Sequence, residues 1–137
     1  MKQTVIVIEE NTAVRYVLTN VLQKKVRISE FDNCFEASEE LKSTTAGLIL
    51  VNIDAYNCDN LDFLSHLKSS SLYRSIPVIA ILRKEDELLK QTCLNLGAEQ
   101  VFIKPFDPRL LLESVEELLP EAFQLSKNLD ELATQAG

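Results

Sequence analysis

The sequence is poor in several residue types, and each shortage disfavours a class of protein. It holds three glycines and no Gly-x-Gly-x-x-Gly or Gly-x-x-x-x-Gly-Lys motif, which disfavours dinucleotide and P-loop nucleotide binding. The longest apolar run is the five residues Val78–Leu82, whereas a membrane span needs about 20. Positive charge is scarce too: 14 Lys and Arg residues against 21 Asp and Glu residues give a net charge of −7. Because this balance repels phosphate backbones, neither a nucleic acid nor a membrane is an expected partner.

The three cysteines form no metal or disulfide pattern. Cys34, Cys58 and Cys93 are widely separated, and the single histidine, His66, has no partner at a zinc-like spacing. We expect reduced, mostly buried thiols and no metal bound through sulfur. The apolar run before Glu9 is only four residues long, too short for a signal peptide, so a cytoplasmic protein is expected.

What the sequence does contain is an alternation of two periodicities along 137 residues, a length that suits one domain. Short runs rich in β-branched residues predict strands, and apolar residues at helical spacing predict helices between them. The predicted strands cover residues 4–8, 26–31, 48–51, 77–82 and 101–103. Five strands alternating with five helices predict an α/β protein with a single, doubly wound, five-stranded parallel sheet.

Capping chemistry indicates where the helices begin and end. Four residues suit helix termini: Asn11, Asn33, Gly97 and Asp107. Pro108 directly after Asp107 suits the first position of the fifth helix. The second helix is expected to carry three residues at helical spacing: Phe35, Ser38 and Leu41.

In an open parallel sheet, ligand sites form beyond the carboxyl ends of the strands. Polar residues stand there after the first, third and fifth predicted strands: Glu9 and Glu10, Asn52, and Lys104. We therefore expect two carboxylates, an amide and a lysine to converge at one edge of the sheet. A flavodoxin-like binder of a small anionic ligand, with Lys104 as the contact, is one such function. The lack of a glycine-rich or hydroxyl-rich phosphate loop disfavours it.

Five segments give the chain a family resemblance: Val5-Ile-Val-Ile-Glu-Glu10, Leu48-Ile-Leu-Val-Asn-Ile53, Ile76-Pro-Val-Ile-Ala80, Leu96-Gly-Ala98 and Phe102-Ile-Lys-Pro-Phe106. Through them, residues 2–119 resemble a response-regulator receiver domain, the phosphoacceptor module of two-component signalling. The resemblance implies a flavodoxin-like fold of the receiver type.

The resemblance also implies roles for particular residues. The acidic pair that binds a divalent cation in the family corresponds to Glu9 and Glu10. The lysine that contacts the phosphoryl oxygens corresponds to Lys104, and the aromatic switch residue of the fifth strand corresponds to Phe102.

Two positions depart from the family pattern. The acceptor aspartate corresponds to Asn52, which has no anionic oxygen to attack phosphorus. The hydroxyl residue that ends the fourth strand corresponds to Leu82, which cannot donate to a phosphoryl oxygen. The paired loss favours a natural pseudo-receiver over an aspartate replaced deliberately. No catalytic residue is expected, and the chain is not predicted to be an enzyme.

The substitutions also weaken the implied metal site. Each Glu is one methylene longer than the usual Asp, and Asn52 removes a ligand charge. A magnesium site made of Glu9 or Glu10, Asn52 and the backbone of Asp54 is therefore predicted to be weak or empty, and no cofactor is expected. We expect Lys104 to pair with Glu9 or Glu10 inside the pocket.

An alternative retains phosphorelay function with a non-standard acceptor, Asp54 or Asp59, in the loop after Asn52. Both residues are more simply explained as capping and solvating that loop. A side chain two residues past a strand end is expected to point away from the pocket.

The carboxyl-terminal part is predicted to differ from the rest. A receiver-like domain is expected over residues 1–119, and a helical extension or linker over residues 120–137. Apolar residues recur at spacings of four and three across this boundary: Leu111, Val115, Leu118, Ala122, Leu125, Leu129 and Leu132. Pro120 should kink or restart the helix. The extension either pairs with a second protomer or leads into an output domain, or it packs on its own domain.

The favoured function is that of an atypical receiver domain, a phosphorylation-independent protein-interaction module in bacterial two-component signalling. Its protein partners would bind the face made by the fourth helix, fifth strand and fifth helix, together with the C-terminal helix. A homodimer is a further candidate and, if the chain is a fragment, so is an output domain.

Overall fold

The computed structural model describes residues 3–119, in which strands and helices alternate strictly. The elements are β1 (Thr4–Ile8), α1 (Thr12–Leu22), β2 (Arg27–Phe31), α2 (Cys34–Leu41), β3 (Ala46–Ile53), α3 (Asp59–Ser69), β4 (Val78–Leu82), α4 (Glu87–Leu96), β5 (Gln100–Ile103) and α5 (Pro108–Leu118). All strand pairs in the sheet are parallel, and the strand order is β2-β1-β3-β4-β5. The predicted fold class is confirmed. The predicted extension over residues 120–137 lies outside the described residues.

The strand order places the site. The chain moves from β1 outward to β2 and then returns to β3 on the other side of β1, so the direction of winding reverses between β1 and β3. A crevice opens at such a reversal, beyond the carboxyl ends of the two strands. Ile8 pairs with Val51 in the register of these strands, so the residues after Ile8 and Val51 meet at the crevice.

The sheet buries one apolar cluster on each face. Alternate residues of a strand point to opposite faces, so Ile49 and Val51 pack towards Leu64 of α3, while Leu48 and Leu50 pack towards α1 and α5. Three of the five strands, β1, β3 and β4, are almost wholly apolar and buried, as strands covered on both faces must be. β2, at one edge, alternates between exposed and half-buried positions instead. No helix within residues 3–119 is both long and apolar enough to span a membrane.

The predicted caps lie at the helix termini. The side chains of Asn11, Asn33 and Asp107 accept hydrogen bonds from the backbone N–H groups of their first helical turns. Gly97 ends α4 with φ of +117°, a left-handed conformation that costs a glycine little.

Two of the three positions predicted for α2, 35 and 38, each lie one residue after the position that is buried. The buried side chains of α2 are Cys34, Ala37 and Leu41, whereas Phe35 is 65% exposed. The small side chains at 34 and 37 allow this short helix to lie close to the sheet, and the large aromatic ring turns outward.

A polar cluster holds the opposite, amino-terminal edge of the sheet together. The Lys68 ammonium donates to the backbone carbonyls of Arg74 and Ile76 and to the Glu99 carboxylate, at 3.3, 2.8 and 3.0 Å. The other Glu99 oxygen accepts from the backbone N–H of Val78 at 2.5 Å. α3 and the beginnings of β4 and β5 are thereby joined through two side chains.

All three cysteines are free thiols, and their exposure divides them. Cys34 and Cys93 are buried, whereas Cys58 is exposed in the loop before α3. Burial raises the pKa of the Cys93 thiol to about 11. Burial also raises the pKa of the Cys34 thiol, and the nearby charge of Asp59 raises it further.

The cap of α1 provides a test of the local structure beside Glu9 and Glu10. The Asn11 side chain accepts from the Val14 N–H at 3.1 Å, so Asn11→Ala should lower the free energy of unfolding by about 1 kcal/mol. Asn20→Ala, at an exposed position inside the same helix, should change it by less than about 0.5 kcal/mol. Urea denaturation of both variants measures the difference, and equal values would contradict the capping role.

Candidate functional site

The carboxyl edge of the sheet brings together the polar residues predicted for it. Glu9 directly follows β1, Asn52 lies near the end of β3, and Lys104 directly follows β5. By the alternation of their strands, all three occupy positions that face α1 and α5. The backbone N–H of Lys104 donates to the carbonyl of Leu82 at 2.9 Å, which continues the β4–β5 pairing beyond β5.

A buried ion pair dominates this edge. Lys104 Nζ lies 2.7 Å from Glu9 Oε1, and the Glu9 side chain is only 1% exposed. The same oxygen accepts from the backbone N–H of Asn11 at 3.3 Å. β3 and β4 lie between β1 and β5, so this pair links strands that are not neighbours. Lys104 therefore pairs with Glu9 and not with Glu10, whose side chain is exposed.

Asn52 is buried, and its neighbours provide hydrogen bonds for only some of its polar atoms. The residue is 7% exposed, and its backbone carbonyl accepts from the Asn60 side-chain amide at 2.7 Å. No described residue donates to its side-chain oxygen Oδ1, which is itself buried. A neutral amide at this place offers an acceptor and two donors, but it has no anionic oxygen.

Leu82 belongs to the apolar core. It ends β4 opposite Ile53, is wholly buried, and packs in the cluster that faces α3 and α4. A cavity of about 20 Å³ lies beside it, and Tyr56 and Leu89 also line this cavity. The end of β4 therefore presents hydrocarbon where a hydroxyl would present a donor.

Phe102 lies half-buried on the face of β5 that α1 and α5 cover. Its ring meets that of Phe106 edge to face, with centroids 6.3 Å apart. This is a favourable aromatic geometry, and it packs the β5 ring against the loop that follows Lys104.

A cavity of about 120 Å³ opens beside Asn52, among the loops that follow β1, β2 and β3. We call it the acidic cavity, and its lining residues are Glu10, Asp32, Asn33, Cys34, Phe35, Asn52, Asp54, Asn57, Asp59 and Asn60. Asp54 and Asp59, the alternative acceptors, are both among the lining residues. The Asp54 carboxylate accepts from the backbone N–H of Tyr56 at 2.8 Å, which fixes the loop.

The contribution of the β2–α2 loop is not predicted from the sequence. Asp32, Asn33, Cys34 and Phe35 line the acidic cavity, and none of them belongs to the residues singled out for the site. The only signal available is their position directly after a strand that pairs with β1.

The donor set does not match a magnesium site. Mg²⁺ requires near-octahedral oxygen ligands, commonly including carboxylates. Glu9 is held by Lys104, and within residues 3–119 no three His, Cys, Asp or Glu side chains are grouped as a metal ion requires.

Comparison with known proteins identifies the family. The profile of the response regulator receiver domain matches residues 5–116, and the chain belongs to this family. It is thus a receiver domain of the two-component response-regulator type, a class of signalling module that acts through partner proteins and typically binds Mg²⁺ at its phosphorylation site.

Individual relatives are distant. The phosphate regulon transcriptional regulatory protein PhoB of Escherichia coli is 25% identical over 123 residues, which cover 87% of this chain and 52% of PhoB. The chain therefore spans about half the length of that relative. Chemotaxis protein CheY1 of Helicobacter pylori is 26% identical over 119 residues, covering 83% of this chain and 94% of CheY1.

Solved structures confirm the fold. A putative response regulator from Chloroflexus aurantiacus has a TM-score of 0.80 at 17% identity, covering 88% of this chain and 99% of that one. An orphan response regulator of H. pylori has a TM-score of 0.74 at 18% identity, covering 85% and 96%.

The buried ion pair makes a strong prediction about stability. Lys104→Met leaves the Glu9 carboxylate buried without its cation, and the free energy of unfolding should fall by about 3–5 kcal/mol. Lys42→Met is the matched control, because Lys42 and Glu39 form a pair of similar length, 2.9 Å, on the surface. Its loss should be much smaller, because water screens both charges of that exposed pair.

Removing the buried charge as well should restore part of the lost stability. The double variant Glu9→Gln, Lys104→Met is expected to be more stable than Lys104→Met alone in urea denaturation. If the Lys104 and Lys42 variants lost the same stability, the Glu9 carboxylate would not depend on Lys104.

Proposed function

We propose that the chain is a pseudo-receiver, a protein-interaction module that works without being phosphorylated. The observation that carries the proposal is the buried amide of Asn52 at the end of β3, where the family resemblance implies the acceptor aspartate. Acyl phosphate formation needs a carboxylate oxygen as nucleophile, and an amide oxygen is a poor substitute. The proposal includes the absence of enzymatic activity.

Two further residues support it. The lysine that would contact phosphoryl oxygens is Lys104, and its ammonium is engaged by Glu9 at 2.7 Å. Leu82 occupies the position at which the family resemblance implies a hydroxyl that follows the phosphoryl group. Its hydrocarbon side chain is packed in the core instead. The nucleophile and the sensor are thus replaced, and the lysine is retained but paired with a carboxylate of the same chain.

The proposal extends to the metal. We expect this receiver to bind Mg²⁺ weakly or not at all, since Glu9 is neutralised, Glu10 is exposed and Asn52 brings no charge. The retained acidic residues then serve a purpose other than holding a catalytic cation.

The proposed interaction surface is the face formed by α4, β5 and α5. Leu88 on α4 is 80% exposed and Leu110 on α5 is 52% exposed, on either side of the half-buried strand β5. Among residues 3–119, β5 pairs with β4 alone, so its other edge has no strand partner within that part of the chain. Apolar side chains beside an open strand edge suit a protein partner.

The partners are proposed to be proteins of a bacterial two-component pathway in the cytoplasm. A second copy of the chain and an output domain are the candidates, the latter because relatives such as PhoB, a transcriptional regulatory protein, are about twice as long as the matched region. Residues 120–137 would connect to, or take part in, such contacts. No nucleic acid is expected to bind this domain, given its net charge of −7.

The alternative is a receiver phosphorylated at Asp54 or Asp59, which the wall of the acidic cavity brings near Asn52. Lys104 is not among the residues that line this cavity, so a phosphoryl group there would lack that cation. Asp59 also begins α3 at an exposed position.

Intact mass after incubation with Mg²⁺ and acetyl phosphate distinguishes these functions. The wild-type chain should show no phosphoryl adduct. Asn52→Asp should gain one phosphoryl group, because it supplies the missing nucleophile. Asn57→Asp, in the loop that follows β3, should gain none. A phosphoryl adduct on the wild-type chain, mapped to Asp54 or Asp59, would overturn the proposal in favour of the alternative.

Restoring the acceptor should not restore switching. In Asn52→Asp the phosphoryl group would form, but Leu82 has no hydroxyl to follow it, so the backbone amide NMR shifts of α4 and β5 should stay unchanged on phosphorylation. The double variant Asn52→Asp, Leu82→Thr is the comparison. Phosphorylation-driven shifts on this face in the single variant would contradict the assigned role of Leu82.

A further inference from the structure

The wall of the acidic cavity is almost entirely polar and predominantly negative. It includes four carboxylates, Glu10, Asp32, Asp54 and Asp59, and four side-chain amides, but no basic residue. Arg15 compensates one carboxylate through an ion pair with Asp32 at 2.6 Å. The N-termini of α2 and α3 each contribute about half a positive charge nearby, which leaves the carboxylates in excess.

A second observation indicates that this cavity lacks a donor. Asn52 lies in its wall, is more than nine-tenths buried, and has a side-chain oxygen to which no residue between 3 and 119 donates. A buried acceptor without a donor costs free energy, so a ligand that brings N–H groups would be stabilised here. The raised pKa of the Cys34 thiol, to which Asp59 contributes after burial, agrees with a negative potential at this wall.

The arrangement of acceptors favours a planar, many-donor cation over a metal ion. Within the described chain no three acidic, histidine or cysteine side chains converge on one point, and the acceptors are spread around a volume of about 120 Å³. A guanidinium group spreads one positive charge over five N–H donors in a plane, which matches dispersed oxygens.

Phe35 supplies the remaining feature. Its ring is 65% exposed in the first turn of α2 and lines the mouth of the acidic cavity. An exposed aromatic ring beside carboxylates provides a face on which a guanidinium stacks.

We propose that the acidic cavity receives the arginine side chain of a protein partner, with its guanidinium between the carboxylates and the Asn52 amide and stacked on Phe35. The inference rests on the proposed function and deepens it. The carboxyl edge of the sheet, where that function expects no phosphoryl group, becomes a second site of contact with a protein partner. The inference assigns this site to loops other than the α4–β5–α5 face.

The test uses a small arginine analogue in place of the unidentified partner. Nα-acetyl-arginine N-methylamide is titrated into the wild-type chain, without Mg²⁺ or phosphodonor, and followed by ¹H–¹⁵N NMR. Saturable shifts should appear at the side-chain amides of Asn52 and Asn60 and at the backbone of Phe35. The corresponding lysine analogue, which cannot stack or spread its donors, should bind at least about fivefold more weakly.

Variants separate the contributions of the wall. Phe35→Leu should weaken binding about two- to fivefold. The double variant Glu10→Gln, Asp59→Asn should abolish saturation, and Asn52→Asp should tighten binding. Glu116→Gln, on the exposed side of α5, is the matched control that removes one charge without touching the cavity, and it should bind as wild type. Unchanged shifts elsewhere in each spectrum establish that the variant is folded.

The absence of saturable shifts at Asn52 and Asn60, or equal affinity for the lysine analogue, would overturn the inference. So would Mg²⁺ saturating these amides at millimolar concentration and displacing the arginine analogue, since the cavity would then be a metal site. The proposed function is tested separately by intact mass. A phosphoryl adduct would contradict that function whatever the titration gives, and a failed titration leaves the mass result intact.

Discussion

The ion pair between Lys104 and Glu9 is the interaction on which the character of this receiver depends. A carboxylate that is only 1% exposed needs a cation, and Lys104 supplies it from the far side of β3 and β4. The lysine that follows β5 is thereby engaged by a carboxylate of the same chain. The carboxyl ends of the central strands are left with a neutral amide and a hydrocarbon, Asn52 and Leu82, one on each face of the sheet. An ordinary receiver needs charge there that can respond to a phosphoryl group. In this chain the charge is already compensated internally.

The other carboxylates of this edge lie in the loops beyond the strands. Glu10 and the aspartates of the β2–α2 and β3–α3 loops surround a cavity instead of a single point, and an aromatic ring stands at its mouth. Carboxylates that converge on one point favour small, hard metal ions. Carboxylates that are dispersed around a cavity favour larger organic cations such as a guanidinium. The same fold and nearly the same residue positions can therefore favour recognition of a side chain over the chemistry of a metal.

The features that were predictable from the sequence are those that local chemistry determines. The strand runs are β-branched and apolar, and Asn11, Asn33 and Gly97 have side chains or backbone freedom that suit helix ends. β3 extends to Ile53 because Asn52 and Ile53 pair with residues of β4, a long-range pairing that no single-residue preference reveals. Phe35 is turned outward because Cys34 and Ala37 are small enough to pack inward, a weak signal in a helix of eight residues. The acidic cavity depends on three loops that only the strand order brings together.

The cluster of Lys68 and Glu99 has a consequence for how such a molecule can diverge. It joins α3, β4 and β5 at the amino-terminal edge of the sheet, away from Asn52 and Leu82. The apolar layers and this cluster hold the framework there, and none of their contacts uses the side chain of Asn52. A substitution at position 52 can therefore arise without breaking these contacts. Change of the site and survival of the scaffold are separable events in this architecture.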